Sequence, residues 1–259
     1  MSSFIEVLGK AGEQTPEPMG FARRVPSKAA PAVVVAGRVS PEALAAAPEL
    51  AKTDVDAVIL DVETWDEKTI EAATAHLAER VWGVRVSSLA DDQVKYLIEK
   101  GCDFAVFGAE HTSVAVLNDE EFGTLVSVAS DLDEDASRGL AAISLDGALF
   151  TPDEASFPLT VQKLVDIGRI RGLLDGAFVM DAPGNLSGED LAALRDLGVA
   201  GLVLDLAAPD EVAKTRDAVD ALPRRKSKPN RGVALVPDSS SAGAPDVPYA
   251  PDEDEEDDL

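Results

Sequence analysis

The sequence predicts an α/β fold whose parallel strands close on themselves as an eight-stranded (β/α)8 barrel. A short phrase recurs along the chain. It reads Asp56-Ala57-Val58-Ile59-Leu60, then Asp103-Phe104-Ala105-Val106-Phe107, then Asp146-Gly147-Ala148-Leu149-Phe150, with looser copies at 175–180 and 200–204. Each copy is an acidic or small residue followed by an apolar run, and the runs are continuous rather than alternating. That pattern suits strands buried on both faces, as in a parallel sheet. Eight such runs begin near residues 33, 57, 82, 104, 124, 147, 177 and 201, and helix-like segments fall between them. An open doubly wound sheet more often has about five or six strands and, for a dinucleotide, a glycine-rich first turn. The first turn here, Ala36-Gly37-Arg38-Val39-Ser40, has no such pattern.

The elements follow in order. Residues 1–30 read as an arm. Ser3–Lys10 has the length of one or two helical turns, and Pro16, Pro18 and Pro26 then break regularity. The first strand, 32–36, ends at Gly37. Ser40-Pro41-Glu42 is a helix start, with Ser as N-cap and Pro in the first turn, opening a helix over 42–51. Strand 57–60 precedes a helix over 66–80, with Ile70, Ala73 and Leu77 on one face. Strand 82–86 precedes a helix over 89–100 that stops at Gly101. Strand 104–107 is followed by a weak helical stretch, 113–122, and a strand over 124–129. A helix over 131–142, strand 147–150, an acidic Pro-containing loop and a helix over 160–173 come next. Strand 177–180 leads to Ser187-Gly188-Glu189-Asp190, which resembles a capping box and opens a helix over 189–197. Strand 201–204 and a helix over 209–222 complete the barrel at residues 31–222.

Beyond it, Arg224-Arg225-Lys226-Ser227-Lys228-Pro229-Asn230-Arg231 places five basic residues in eight, and 232–236 offers a short extra strand within the segment 223–238. Residues 239–259 read as a flexible tail ending in seven consecutive acids, Asp252 to Asp258.

Composition bounds the function. The net charge is −25 and the two histidines are His76 and His111. Nucleic acid and anionic membranes are held by neutralising Lys and Arg, so this field argues against both as partners. Cys102 is the one cysteine, which leaves no internal disulfide framework and suits a reducing, cytoplasmic setting. The N-terminal residues lack a basic region followed by an apolar one, so no signal peptide is expected. Two histidines cannot build a His-rich zinc site. No Lys lies on an expected strand, which disfavours a Schiff-base aldolase. No P-loop and no Gly-x-Ser-x-Gly turn is present.

In a barrel of this kind chemistry sits where strands end, at the C-terminal face. The residues just past the strand ends are Arg38, Asp61 and Glu63, Arg85, Glu110 and His111, Ser130 and Asp131, Thr151 and Asp153, Asp181, and Asp205. Arg38 and Arg85 suit a substrate carboxylate, because a guanidinium matches its geometry. Asp61 and Glu63 suit a divalent metal such as Mg²⁺, which prefers oxygen ligands. Glu110, His111 and Asp181 are the candidates for acid–base catalysis. Each of these positions also suits ordinary turn and cap chemistry.

Asp181-Ala182-Pro183-Gly184-Asn185-Leu186-Ser187-Gly188-Glu189-Asp190-Leu191, followed by 194–204, resembles the phosphate-binding barrels of the aldolase-type TIM-barrel superfamily. The resemblance implies a ligand loop at Gly184 and Asn185 and a phosphate cradle after the last strand. The chain departs from it at Asp205-Leu206-Ala207-Ala208-Pro209, where the family places glycine and a small or basic residue. At an effective dielectric near 20, a carboxylate about 4 Å from a phosphate charge repels it by about 4 kcal/mol. The resemblance therefore carries the fold and not the phosphate site.

Two functions fit these readings. One is a cytosolic lyase or isomerase acting on a small polar metabolite, with or without a divalent metal. The other is a non-catalytic barrel that serves as a binding or assembly scaffold. In the second, the arm and the acidic tail make the contacts, either with a protein partner or with further copies of the chain.

Overall fold

A computed structural model describes residues 2–11, 31–153 and 157–223, all within one compact unit, Met1–Arg225. The basic run, the extra strand and the acidic tail expected beyond it lie outside the described residues. The elements are α1 (Ser3–Lys10), β1 (Val34–Val39), α2 (Pro41–Ala46), β2 (Ala57–Asp61), α3 (Glu67–Thr74), β3 (Trp82–Val86) and α4 (Asp91–Glu99). They continue with β4 (Phe104–Phe107), β5 (Gly123–Val128), α5 (Glu134–Ala141), β6 (Gly147–Phe150), α6 (Val161–Gly172), β7 (Ala177–Asp181), α7 (Gly188–Leu197), β8 (Gly201–Asp205) and α8 (Pro209–Asp220). The strands form a closed parallel barrel in sequence order, sealed where Val34 pairs with Gly201 and Arg38 with Asp205.

Several boundaries differ from the expectation, each for a local reason. β1 runs through Gly37 to Val39 rather than stopping at the glycine. A Cβ at Gly37 would lie 2.3 Å from Leu206 Cδ2, so glycine lets β1 continue against the loop after β8. α2 ends at Ala46 and a 3₁₀ turn, Pro48–Lys52, replaces its last turns. Pro48 lacks the N–H that would continue the helix. α3 stops at Thr74, and β4 and β5 are joined by a 3₁₀ turn, Val114–Leu117, in place of a helix.

Strand side chains alternate between two cores. Outward residues such as Val35, Val58, Val84 and Leu202 join the layer beneath the helices. Inward residues, among them Val34, Ala36, Ile59, Phe104, Val106, Leu125, Leu149, Val179 and Val203, fill the barrel. Phe4, Ile5 and Leu8 of α1 belong to this inner core. Residues 1–30 read from the sequence as an arm, but α1 docks beneath the barrel. Phe4 stacks on Phe104 with ring centroids 4.2 Å apart. The Asp103 carboxylate accepts from the Ser3 and Phe4 N–H groups at 2.8 and 2.9 Å and from Ser2 Oγ at 2.6 Å. A carboxylate suits the positive end of a helix, where unpaired N–H groups collect.

The leading aspartates of the repeated phrase thus work at the closed, N-terminal end. Asp56 accepts from Val35 N at 2.9 Å and from Arg216 Nη1 at 2.8 Å. Asp146 accepts from Thr124 N at 2.8 Å and from Thr124 Oγ1 at 3.0 Å. Each ties the start of one strand to a neighbouring segment. That is stability chemistry, and it leaves the opposite face of the barrel for binding.

Candidate functional site at the barrel mouth

Two residues beyond the last apolar inward layer, alternation brings the next inward positions to the C-terminal mouth. They are Arg38 on β1, Asp61 on β2, Arg85 on β3, Gly108 after β4, Ser127 on β5, Thr151 after β6, Asp181 on β7 and Asp205 on β8. The interior changes from apolar to polar within one layer. Gly108 contributes no side chain, and a Cβ there would press on the Ser87 carbonyl at 2.6 Å.

At the centre of this layer three side chains close a ring. Arg85 Nη1 donates to Asp181 Oδ2 at 2.9 Å, Arg85 Nη2 donates to Thr151 Oγ1 at 3.0 Å, and Thr151 Oγ1 donates to Asp181 Oδ2 at 2.9 Å. Asp181 is buried, with 7% of its surface exposed. Its other oxygen, Oδ1, is shielded from solvent and has no hydrogen-bond partner. Arg38 Nη1 stands 3.8 Å from that oxygen, near enough to pair electrostatically but too far to hydrogen-bond. A buried carboxylate is stable only with a counter-charge, and Arg85 supplies it. The Arg38 side chain remains 37% exposed and faces the opening.

Three adjoining cavities open around this ring. One, about 590 Å³, is lined by Arg38, Thr151, Asp181, Gly184, Asp205 and Glu211 among others. A second, about 510 Å³, shares Arg38 and Asp205 and adds Asp61, Glu63 and Asp66. A third, about 620 Å³, runs from Asp61 and Glu63 past Arg85 to Glu110 and Ser127.

The expected site residues fall into three groups. Arg38, Arg85 and Asp181 come together at the centre. Asp61, Glu63 and Glu110 stand on the cavity walls, Glu63 and Glu110 both exposed. His111 and Asn185 are exposed on loops away from the ring, and His111 has a left-handed φ of 62°. Gly184 lines the first cavity, but a Cβ there would lie 2.4 Å from Glu211 Cβ, so a carboxylate side chain packs over that loop. Asp61 and Glu63 both line the second and third cavities. Among the described residues no group of three or more His, Cys, Asp or Glu is placed to hold a metal ion.

Sequence reasoning placed Thr151 on the rim without a role, and gave none to Ser127 or Glu211. The signal that finds Thr151 and Ser127 is parity: each lies two residues beyond an inward apolar residue, Leu149 and Leu125. Glu211 lies on α8, and only its contact with the loop after β7 reveals it.

No family model and no curated protein matches the chain. Solved structures do match. Tryptophan synthase from M. tuberculosis aligns with a TM-score of 0.53 at 11% identity, over 73% of this chain and 89% of that one. A mutant tryptophan synthase alpha-subunit from the hyperthermophile Pyrococcus furiosus gives 0.53 at 8%, over 73% and 97%. The HpcH/HpaI aldolase from Desulfitobacterium hafniense DCB-2 gives 0.51 at 13%, over 75% and 95%. The fold these structures share with the chain is the closed (β/α)8 TIM barrel. At such identities the likeness speaks for the fold alone, and function rests on the site. Among the described residues no helix is long and apolar enough to cross a membrane.

Proposed function

We propose that the mouth binds a small polar metabolite through a carboxylate and that the protein acts on it as a lyase or isomerase. Arg38 holds the substrate carboxylate with its exposed guanidinium. Asp181 exchanges a proton with the substrate through Oδ1. Arg85 and Thr151 are positioning residues that fix Oδ2, so that Oδ1 alone remains to act. The observation that carries this reading is the asymmetry of Asp181, a buried residue: Oδ2 takes two hydrogen bonds and the buried Oδ1 takes none. Buried polar atoms are normally satisfied, and an exception at the end of a barrel strand suits a group whose partner arrives with a ligand. A proton-transfer group needs geometry first, and this one is pre-set.

The fold neighbours, which include an aldolase and tryptophan synthase, are compatible with the class, and the site carries the argument. Asp61 and Glu63 are wall groups that recruit a divalent cation only together with substrate oxygens, and no step is assigned to such an ion. The test is a thermal-shift screen of the whole chain against small carboxylates, phosphorylated metabolites and divalent cations, repeated with Asp181→Asn and Arg38→Met. A carboxylate at about 100 times its Kd stabilises the native state by about 2.7 kcal/mol. Arg38→Met is expected to abolish that shift. A panel without any shift overturns the reading in favour of a non-catalytic scaffold.

A further inference from the structure

The cavity between the loops after β6, β7 and β8 has the opposite polarity to a phosphate cradle. Among the described residues its wall carries the carboxylates of Asp153, Asp205 and Glu211, and that of Asp181 already paired with Arg85, against the guanidinium of Arg38. Two features remove an anion's usual partners. Asp205 Oδ1 accepts from Ala207 N at 2.9 Å, which consumes a backbone donor at the entrance to α8 and leaves a negative charge beside it. Glu211, in the first turn of α8, packs over Gly184 on the facing loop. A helix N-terminus that would attract an anion is therefore lined with carboxylates. The same wall holds the buried, unpartnered Oδ1 of Asp181, 3.8 Å from Arg38. A hydrogen-bond acceptor so placed calls for a donor from outside the chain.

We infer that this cavity selects a ligand with a cationic end, so that the substrate is a small carboxylate that also bears an ammonium or guanidinium group. The inference rests on the proposed carboxylate site at Arg38. The carboxylate sits on Arg38, the reacting centre faces Asp181 Oδ1, and the cationic end points to Asp205 and Glu211. Phe157 and Pro183 supply apolar wall for the carbons between them. A phosphorylated ligand meets like charge instead and is rejected, because placing like charges together discriminates against the wrong partner. Both selecting carboxylates are exposed, so they can be neutralised without touching the barrel core. Asparagine at 205 keeps an oxygen for the Ala207 N–H, and glutamine at 211 keeps the carbons that cover Gly184.

The experiment is calorimetric titration of the whole chain with three probes: ω-aminohexanoate, hexanoate and phosphoglycerate. It is run on the native sequence and on the Asp205→Asn/Glu211→Gln double variant, with circular dichroism to confirm that the variant is folded. The native protein is expected to bind ω-aminohexanoate at least about tenfold more tightly than hexanoate, a gap of about 1.4 kcal/mol. The double variant is expected to lose that preference, to bind hexanoate unchanged and to bind phosphoglycerate more tightly than before. Equal binding of ω-aminohexanoate and hexanoate, tighter binding of phosphoglycerate by the native chain, or a preference that survives in the double variant overturns the cationic subsite and leaves the Arg38 site standing. Absence of binding by all three probes overturns the mouth reading itself.

Discussion

Removing Arg85 tests the central ring most directly. In Arg85→Met, Asp181 Oδ2 loses its 2.9 Å charge-assisted bond and Thr151 Oγ1 loses its 3.0 Å donor. Asp181 keeps the Thr151 hydroxyl and the distant Arg38, and Oδ1 still has no partner. Breaking a buried ion pair on one side destabilises by about 3–5 kcal/mol, because a charge remains buried without its counter-ion. The Arg85 and Asp181 side chains are 19% and 10% exposed, which admits some water and places the loss near the lower end, about 3 kcal/mol. For a chain of this size that is a fall in Tm of about 6–12 °C. The double variant Arg85→Met/Asp181→Leu removes both charges and replaces them with apolar groups of similar volume, a change that is often neutral or stabilising. It should regain most of the loss while binding no ligand. The assay is urea denaturation of the native chain, both single variants and the double, with midpoints compared at constant slope. A loss under about 1 kcal/mol in Arg85→Met would mean that water, not Arg85, satisfies Asp181. A double variant as unstable as the single would mean that Met and Leu fail to repack the mouth. The first result refutes the account of a buried charge held for a ligand.

Further outcomes follow from other parts of the barrel. Phe4→Ala removes a ring that is 2% exposed and stacked in the inner core, and should cost about 3–5 kcal/mol, read by thermal denaturation. An α1 that merely trailed from the barrel would show almost no change. Gly147→Ala places a Cβ 2.1 Å from the Ala177 backbone carbonyl, which no side-chain rotation relieves. It should destabilise by about 1–3 kcal/mol or more by the same measurement, whereas Gly139→Ala, with nothing near its Cβ, should not. Burial pushes the Cys102 thiol up, far from its ordinary value, so it stays protonated in the folded chain while the unfolded thiol ionises near about pH 8.5. Its contribution is therefore complete below that pH and is lost above it, by about 1.4 kcal/mol per pH unit. Iodoacetamide should alkylate Cys102 in denaturant and not in the native protein, and Cys102→Ala should flatten the alkaline loss of stability.

The barrel was legible because its strands are continuous apolar runs and its helices announce their starts. Ser40, Thr160 and Ser187 each accept the backbone N–H three residues on, as capping signals should. The position of α1 was not legible. Phe4, Ile5 and Leu8 mark an amphipathic helix, but the groups that receive them, Phe104 and Asp103, lie about a hundred residues away in the chain. Helix ends were also hard to place, as at Ala46, where Pro48 and a 3₁₀ turn take over. The mouth was partly legible. Strand ends pointed to Arg38, Arg85 and Asp181, yet β1, β3 and β7 are not neighbours, and only closure of the barrel brings their tips together. His111 also follows a strand end, but Gly108 takes the inward position on that strand and His111 falls on the exposed loop beyond. Counting residues past a strand identifies a rim; counting by twos from the inner core identifies which of them face in.

That parity bears on what Asp181 is for. If the Arg85–Thr151–Asp181 ring were only a plug for the barrel, both carboxylate oxygens would be expected to find donors, since an unmet buried acceptor costs about 1–3 kcal/mol. The donors are close at hand. Arg38 is one strand away from β7 across β8 and stops 3.8 Å short of Oδ1, with much of its side chain turned to the opening. Asp205, its register partner on β8, instead caps its own turn. The arrangement thus leaves an unfilled acceptor and an exposed guanidinium side by side, above a core that is otherwise closed and apolar. Among the described residues two buried polar atoms lack a hydrogen-bond partner, Arg216 Nε beside Asp56 at the closed end and Asp181 Oδ1 at the mouth, and at the end of a barrel strand such a failure of polar satisfaction tends to mark a functional site. A ligand with one anionic group and one donor would satisfy both residues at once, which is why Asp181 and Arg38, rather than the conspicuous aspartates of the repeated phrase, are the residues on which function is expected to turn.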